Sequence, residues 1–113
     1  LLDIQGIAET LKRRGFRVSI RAKIKGVSGV VHEIDLIVID DSKYAFIFLD
    51  DCSCENFIRH FVKAIDLQDY RSFLFVSRDC AERIFTNVVP KSTIVYSGLD
   101  DLVKKILDIV SLQ

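Results

Sequence analysis

Val30-Val31-His32-Glu33-Ile34-Asp35-Leu36-Ile37-Val38-Ile39 is dominated by Val and Ile and carries two carboxylates near its start. β-Branched residues in an unbroken run favour a strand. The lack of polar alternation beyond Asp35 marks that strand as covered on both faces. Side chains two apart on a strand project to the same side, so Glu33 and Asp35 share a face. Carboxylates inside an apolar strand are costly unless something neutralises them. A plainer alternative stays open, in which both acids sit at a solvated strand start.

On the N-terminal side, Ile4, Ile7, Ala8 and Leu11 have helical spacing, and Gly15 is placed to end that helix. Lys12, Arg13 and Arg14 fall in its last turn, where the helix dipole favours cations. Phe16, Val18, Ile20 and Ala22 alternate with Arg17, Ser19, Arg21 and Lys23, the pattern of a half-buried strand. Lys25-Gly26-Val27-Ser28-Gly29 is a turn into the opening strand.

On the C-terminal side, Asp40-Asp41-Ser42-Lys43 makes a hairpin turn, and Tyr44 to Leu49 is a third apolar strand ending in Asp50-Asp51. Ser53 is expected to cap a helix whose Phe57, Ile58, Phe61, Val62 and Ile65 form one apolar stripe. Arg71 to Val76 is a short buried strand. Asp79 with Glu82 reads as a capping box for a helix containing Ile84, Val88 and Val89, stopped near Pro90. Thr93 to Tyr96 is a last strand, and Ser97 with Asp100 caps a closing helix built on Leu102, Val103, Ile106, Leu107 and Val110.

The expected order is α-β-β-β-α-β-α-β-α. It describes an α/β fold with a mixed central sheet, an antiparallel three-strand meander plus two further strands, flanked by helices. At 113 residues, half of them apolar, the chain suits one soluble globular domain spanning residues 1–113. No apolar run approaches the roughly 20 residues of a membrane span. Leu1-Leu2-Asp3-Ile4-Gln5 lacks the charged start of a signal peptide. Three cysteines, an odd number, argue against a disulfide framework and lead us to expect reduced thiols and a cytoplasmic protein.

Net charge is zero, but the charges are segregated. Up to Gly26 the chain is basic, with Arg17, Arg21, Lys23 and Lys25 in its first strand; from His32 to Glu55 it is acidic, with Lys43 the sole basic side chain. This suits a metal site beside a groove for phosphate, although charge alone favours the plainer reading of two solvated faces that attract each other. Asp50 ends the strand after Asp35 across a short turn, so antiparallel pairing can bring the two together. With Glu33 they make a plausible Mg²⁺ or Mn²⁺ site of oxygen ligands. A zinc site of Cys52, Cys54, Cys80, His32 and His60 is disfavoured by the short Cys-x-Cys spacing and unpaired histidines. His60 is expected at the solvent side of its helix.

The order of elements, together with Ser28-Gly29-Val30-Val31-His32-Glu33-Ile34-Asp35-Leu36-Ile37 and the helix ending before Gly15-Phe16, resembles the PD-(D/E)XK nuclease superfamily. The nearest flavours are Mrr-type restriction endonucleases and archaeal Holliday-junction resolvases. The resemblance implies a metal-binding role for Asp35 and, with Asp50-Asp51-Cys52 standing where (D/E)-X-K belongs, for Asp50. It places Cys52 at the position of the motif lysine, and cysteine supplies no cation. A lysine displaced in space would restore that charge, Lys63 in preference to Lys23.

The implied function is Mg²⁺- or Mn²⁺-dependent phosphodiester hydrolysis on DNA. Asp35 and Asp50 would hold metal, Glu33 and Lys63 would assist, and Arg17, Arg21, Lys23 and Lys25 would contact backbone phosphates. The alternative is a catalytically degenerate nuclease-fold domain serving in DNA binding or in assembly, as a homodimer. An all-parallel regulatory module of other ancestry is a third reading.

Overall fold

The computed structural model describes residues 2–85 and 89–111. Its elements run α1 (Ile4–Arg13), β1 (Arg17–Lys25), β2 (Val31–Ile39), β3 (Lys43–Phe48), α2 (Cys54–Asp66), β4 (Arg71–Ser77), α3 (Arg78–Ile84), β5 (Thr93–Tyr96) and α4 (Gly98–Ser111). The five strands form one sheet in the order β1-β2-β3-β4-β5. The first three pair antiparallel, and β4 and β5 add in parallel. The expected architecture is met, and the meander removes the all-parallel alternative.

Two hydrophobic cores lie on opposite faces of the sheet. On one, Ile7 and Leu11 of α1 and Leu102, Ile106 and Val110 of α4 close over Leu36, Val38, Phe46 and Phe75. On the other, Phe57 of α2 and Ala81 of α3 cover Ile34, Ile37, Ile47, Leu74 and Val76. Strands covered on both faces account for the continuous apolar runs in β3 and β4. Among the described residues no helix is long and apolar enough to cross a membrane.

The first two strands change faces along their length. Phe16, Val18 and Ile20 pack in the α1–α4 core, yet Ala22 and Ile24 pack in the α2–α3 core. Opposite them Leu36 and Val38 take the first core and Ile34 the second. The switch falls at Arg21 and Asp35, where the ladder steps from Ile20–Leu36 to Ala22–Ile34 and the pair between drops out. Arg21 there has φ +51°, a left-handed conformation that costs a side-chain-bearing residue roughly 1–2 kcal/mol. Beyond the switch the β1–β2 hairpin parts from β3, since β2 pairs β3 only over Leu36–Ile39.

Asp66 ties the hairpin tip to the C-terminal end of α2. Its carboxylate accepts from the Ser28 N–H at 2.9 Å and the Ser28 hydroxyl at 2.8 Å, and meets His32 Nε2 at 2.7 Å. The His32 and Ser28 bonds hold the Asp66 pKa below the ordinary carboxylate value.

Several local expectations change. Ser77, not Asp79, caps α3, its hydroxyl accepting from the Cys80 N–H, and the helix ends at Ile84 with Phe85 extended. Val88 lies outside the described residues, and Val89 lies beyond the helix. Asp101, not Asp100, takes the Ser97 N–H at the start of α4, at 2.8 Å. The stripe on α2 divides: Phe57 is buried and Phe61 half-buried, whereas Ile58, Val62 and Ile65 are 58%, 55% and 58% exposed. The thiols are not all reduced, because Cys52 and Cys80 form a disulfide, leaving Cys54 free and exposed. Adjacent elements brought those two cysteines together, which their count could not reveal.

Candidate active site

The parting of β2 from β3 opens a cleft of about 540 Å³ at one end of the sheet. Leu2, Ile4, Phe48, Leu49 and Tyr96 line it, and Arg21, Glu33, Asp35, Asp50 and His60 supply its charged and imidazole groups. The fold thus brings three of the sequence-selected acids and one of the selected cations into one cavity.

Asp35 stands at the branch point. One of its carboxylate oxygens accepts the Phe48 N–H at 2.8 Å, filling the place that a β2 carbonyl would take in an unbroken ladder. Burial pushes the Asp35 pKa up, against the opposing pull of that N–H and of the Lys63 cation. Asp50 follows the end of β3 and has a side chain 79% exposed. Asn56, itself buried, donates its amide to Asp50 Oδ1 at 2.9 Å and to the Asp51 carbonyl at 2.8 Å. The Asn56 bond holds the Asp50 pKa below the usual carboxylate range. Asn56 sits where it does because Ser53 caps α2, its hydroxyl accepting from the Asn56 N–H at 3.1 Å.

Lys63 lies three residues beyond His60 on the same helix and donates its ammonium to the Glu33 carbonyl at 3.1 Å. Its charge reaches Asp35, so a cation does act on that carboxylate although Cys52 occupies the motif position. The Cys52 sulfur is turned away, bonded to Cys80 and packed in the α2–α3 core. Glu33 is exposed at the cleft rim. Arg21 lines the cleft, whereas Arg17, Lys23 and Lys25 are exposed along β1 outside its wall.

His60 is the residue that pattern reading misplaced. Its side chain is only 13% exposed and its Nε2 lies 3.5 Å from Asp50 Oδ1. Burial, with Lys63 nearby, pushes its pKa below the ordinary imidazole value, so the ring is neutral at pH 7. The spacing of Asn56, His60 and Lys63 at four and three residues along α2 was the available signal, since it sets all three on one helix face.

Among the described residues no group of three or more His, Cys, Asp and Glu side chains is placed to hold a metal ion. Two carboxylates in an open cleft nevertheless suit a hard divalent ion, because Mg²⁺ keeps several waters and is commonly held by one or two carboxylates plus substrate phosphate. The donor set fits such an ion.

No protein-family model and no curated protein matches the chain. Among solved structures, the crystal structure of a protein of unknown function, AF1548, is similar, with a TM-score of 0.53 at 14% identity over 97% of this chain and 67% of that one. At that identity the likeness concerns the fold.

Proposed function

We propose that the chain is a restriction-endonuclease-like domain that hydrolyses phosphodiester bonds in DNA with Mg²⁺ or Mn²⁺ held between Asp35 and Asp50. The observation that carries this reading is Asp35 at the branch of β2 from β3, facing a cleft shared with Asp50 and with Lys63 within electrostatic reach. A bound divalent ion would neutralise the phosphate and activate water. Asn56 orients the Asp50 carboxylate toward that ion. Lys63 supplies the positive charge that the motif lysine would give, at the developing charge on the phosphate. Arg21 holds the DNA backbone at the cleft, and Arg17, Lys23 and Lys25 extend the contact along β1, so binding weakens as salt rises. Glu33 assists from the rim.

The test is incubation of the protein with supercoiled plasmid or four-way-junction DNA and Mg²⁺ or Mn²⁺. Nicking or cleavage that Asp35→Ala abolishes supports the reading. No cleavage at high protein concentration, with no difference from the variant, removes it.

A second reading, a homodimerising domain without catalysis, is favoured by the exposed Ile58, Val62 and Ile65 on α2. Light scattering on Val62→Asp separates the two: a dimer converted to monomer supports assembly through this helix, and a parent that is already monomeric removes it.

A further inference from the structure

The cleft is more apolar than a grip on phosphate requires. Half of its ten lining residues are aliphatic or aromatic, and Leu2, Ile4, Leu49 and Tyr96 among them are only half-buried. Phosphate contacts call for cations, hydroxyls and backbone N–H groups, not for such a surface. A nucleobase does call for it, because every base has a π-face that stacks on aromatic side chains. In a continuous duplex those faces are already stacked on one another, and a lining of this kind has nothing to bind. An unpaired nucleotide offers a free face, and a cleft of about 540 Å³ is of small-molecule size.

Tyr96 is the aromatic side chain placed for this. Phe48 is 4% exposed and belongs to the core, whereas Tyr96, on the edge strand β5, packs on the α1–α4 core and also lines the cleft. Tyr96 lines a second hollow as well, of about 270 Å³, together with Arg78 and Ser97. Arg78 Nε donates to Ser97 Oγ at 2.8 Å, which fixes the guanidinium and leaves its two amino groups without a partner among the described residues. The planar fork of a guanidinium suits a phosphate. The cleft with Arg21 and the hollow with Arg78 thus adjoin at Tyr96.

We propose that the cleft takes an unpaired nucleotide, with its base stacked on Tyr96 and its flanking phosphates on Arg21 and Arg78. The substrate is then DNA with an unpaired segment, a single strand, flap or branch, in preference to continuous duplex. The proposal rests on the reading of the chain as a domain that acts on DNA, and it names the form of DNA taken. Drawing a base out of a duplex costs stacking and pairing that an unpaired nucleotide has already given up. Asp79 also lines the hollow and opposes a phosphate there, so its charge limits the affinity.

Binding to the intact chain without divalent ion tests this apart from metal and cleavage. The probe is an oligonucleotide carrying a fluorescent adenine analogue whose emission falls on stacking. The single strand is expected to bind at least about tenfold more tightly than the same sequence annealed to its complement, with the emission quenched. Tyr96→Leu is expected to weaken the single strand by about fivefold or more, to abolish the quenching and to leave duplex binding within about twofold. Arg78→Gln is expected to flatten the slope of log affinity against log salt by about 0.7, the share of one phosphate contact on a single strand. Quenching in the parent is a readout independent of whether either variant folds. Equal affinity for the two forms, unquenched emission in the bound parent, or full single-strand affinity in a folded Tyr96→Leu overturns the proposal and leaves a nuclease that cuts duplex intact. Quenched, tight single-strand binding by a protein that cuts no DNA with Mg²⁺ or Mn²⁺ upholds the proposal and removes the nuclease reading. No binding of either form overturns the proposal, and the cleavage assay then decides the nuclease reading by itself.

Discussion

Asp35→Asn should make the protein more stable and metal-blind at once. The carboxylate is half-buried, takes one backbone N–H from Phe48 and feels Asp50 as a like charge; Lys63 compensates only in part, and the net effect is a raised pKa. At pH 7 the ionised group is therefore less well accommodated in the fold than in the unfolded chain. Asparagine keeps an oxygen for the Phe48 N–H and removes the charge. Part of the carboxylate is in solvent, which screens the effect. The gain should accordingly lie in the lower half of the range for single stabilising changes, about 0.5–1 kcal/mol. For a domain of this size that raises Tm by roughly 2–6 °C.

The pH dependence has a defined sign. With its pKa raised, folded Asp35 binds more protons than unfolded Asp35, so the parent loses stability as pH rises from the ordinary carboxylate value through the raised one. The advantage of Asn should be small at the acid end of that window and largest at neutral pH. Thermal unfolding of both proteins across that window and at pH 7 reads this directly. Mn²⁺ at a hundredfold excess over its Kd should then stabilise the parent by about 2.7 kcal/mol and leave the variant unchanged. A variant less stable than the parent at neutral pH, or one stabilised equally by Mn²⁺, would refute the reasoning.

Arg21→Gly should hold stability or raise it by up to about 1 kcal/mol in urea unfolding, because glycine adopts the left-handed φ freely, whereas Lys23→Gly at a regular strand position should lower it by about 1 kcal/mol. Asp66→Asn should speed hydrogen exchange at the Ser28 amide at neutral pH. Since the Asp66 pKa is lowered, the carboxylate's hold persists above the ordinary value and is lost as pH falls through the lowered one, so the difference from the parent should vanish there. Reducing the Cys52–Cys80 bond, which spans 28 residues, should cost about 3–4 kcal/mol in chemical unfolding on the loop-entropy account; an unchanged midpoint would show that the bond is not closed in solution.

The sheet was legible in the sequence because period-two alternation and long Val and Ile runs report directly on strand burial. β1 and β2 were found on these grounds, but their change of face was not: Phe16 to Ile24 alternates without a break, and only the backbone at Arg21 turns the second half over. On α2 the apolar stripe was too wide for one contact: Phe57 and Phe61 pack into the core beneath the helix while Ile58, Val62 and Ile65 stay exposed. Asp35 and Asp50 could be paired from a short hairpin and a known register rule. His60 could not be placed beside them, since its position depends on how α2 rotates once Phe57 is buried. The Cys52–Cys80 bond likewise joins the approach to α2 with α3, elements on one face of the sheet whose proximity appears only after the parallel crossover is built.

The most direct test of the central claim is the anomalous difference map of a crystal grown with a short DNA duplex and Mn²⁺. The account requires a peak in the cleft within about 2.2 Å of oxygens from both Asp35 and Asp50, with a backbone phosphate on its open side. DNA bound elsewhere on the surface, with no peak between those two carboxylates, would contradict it.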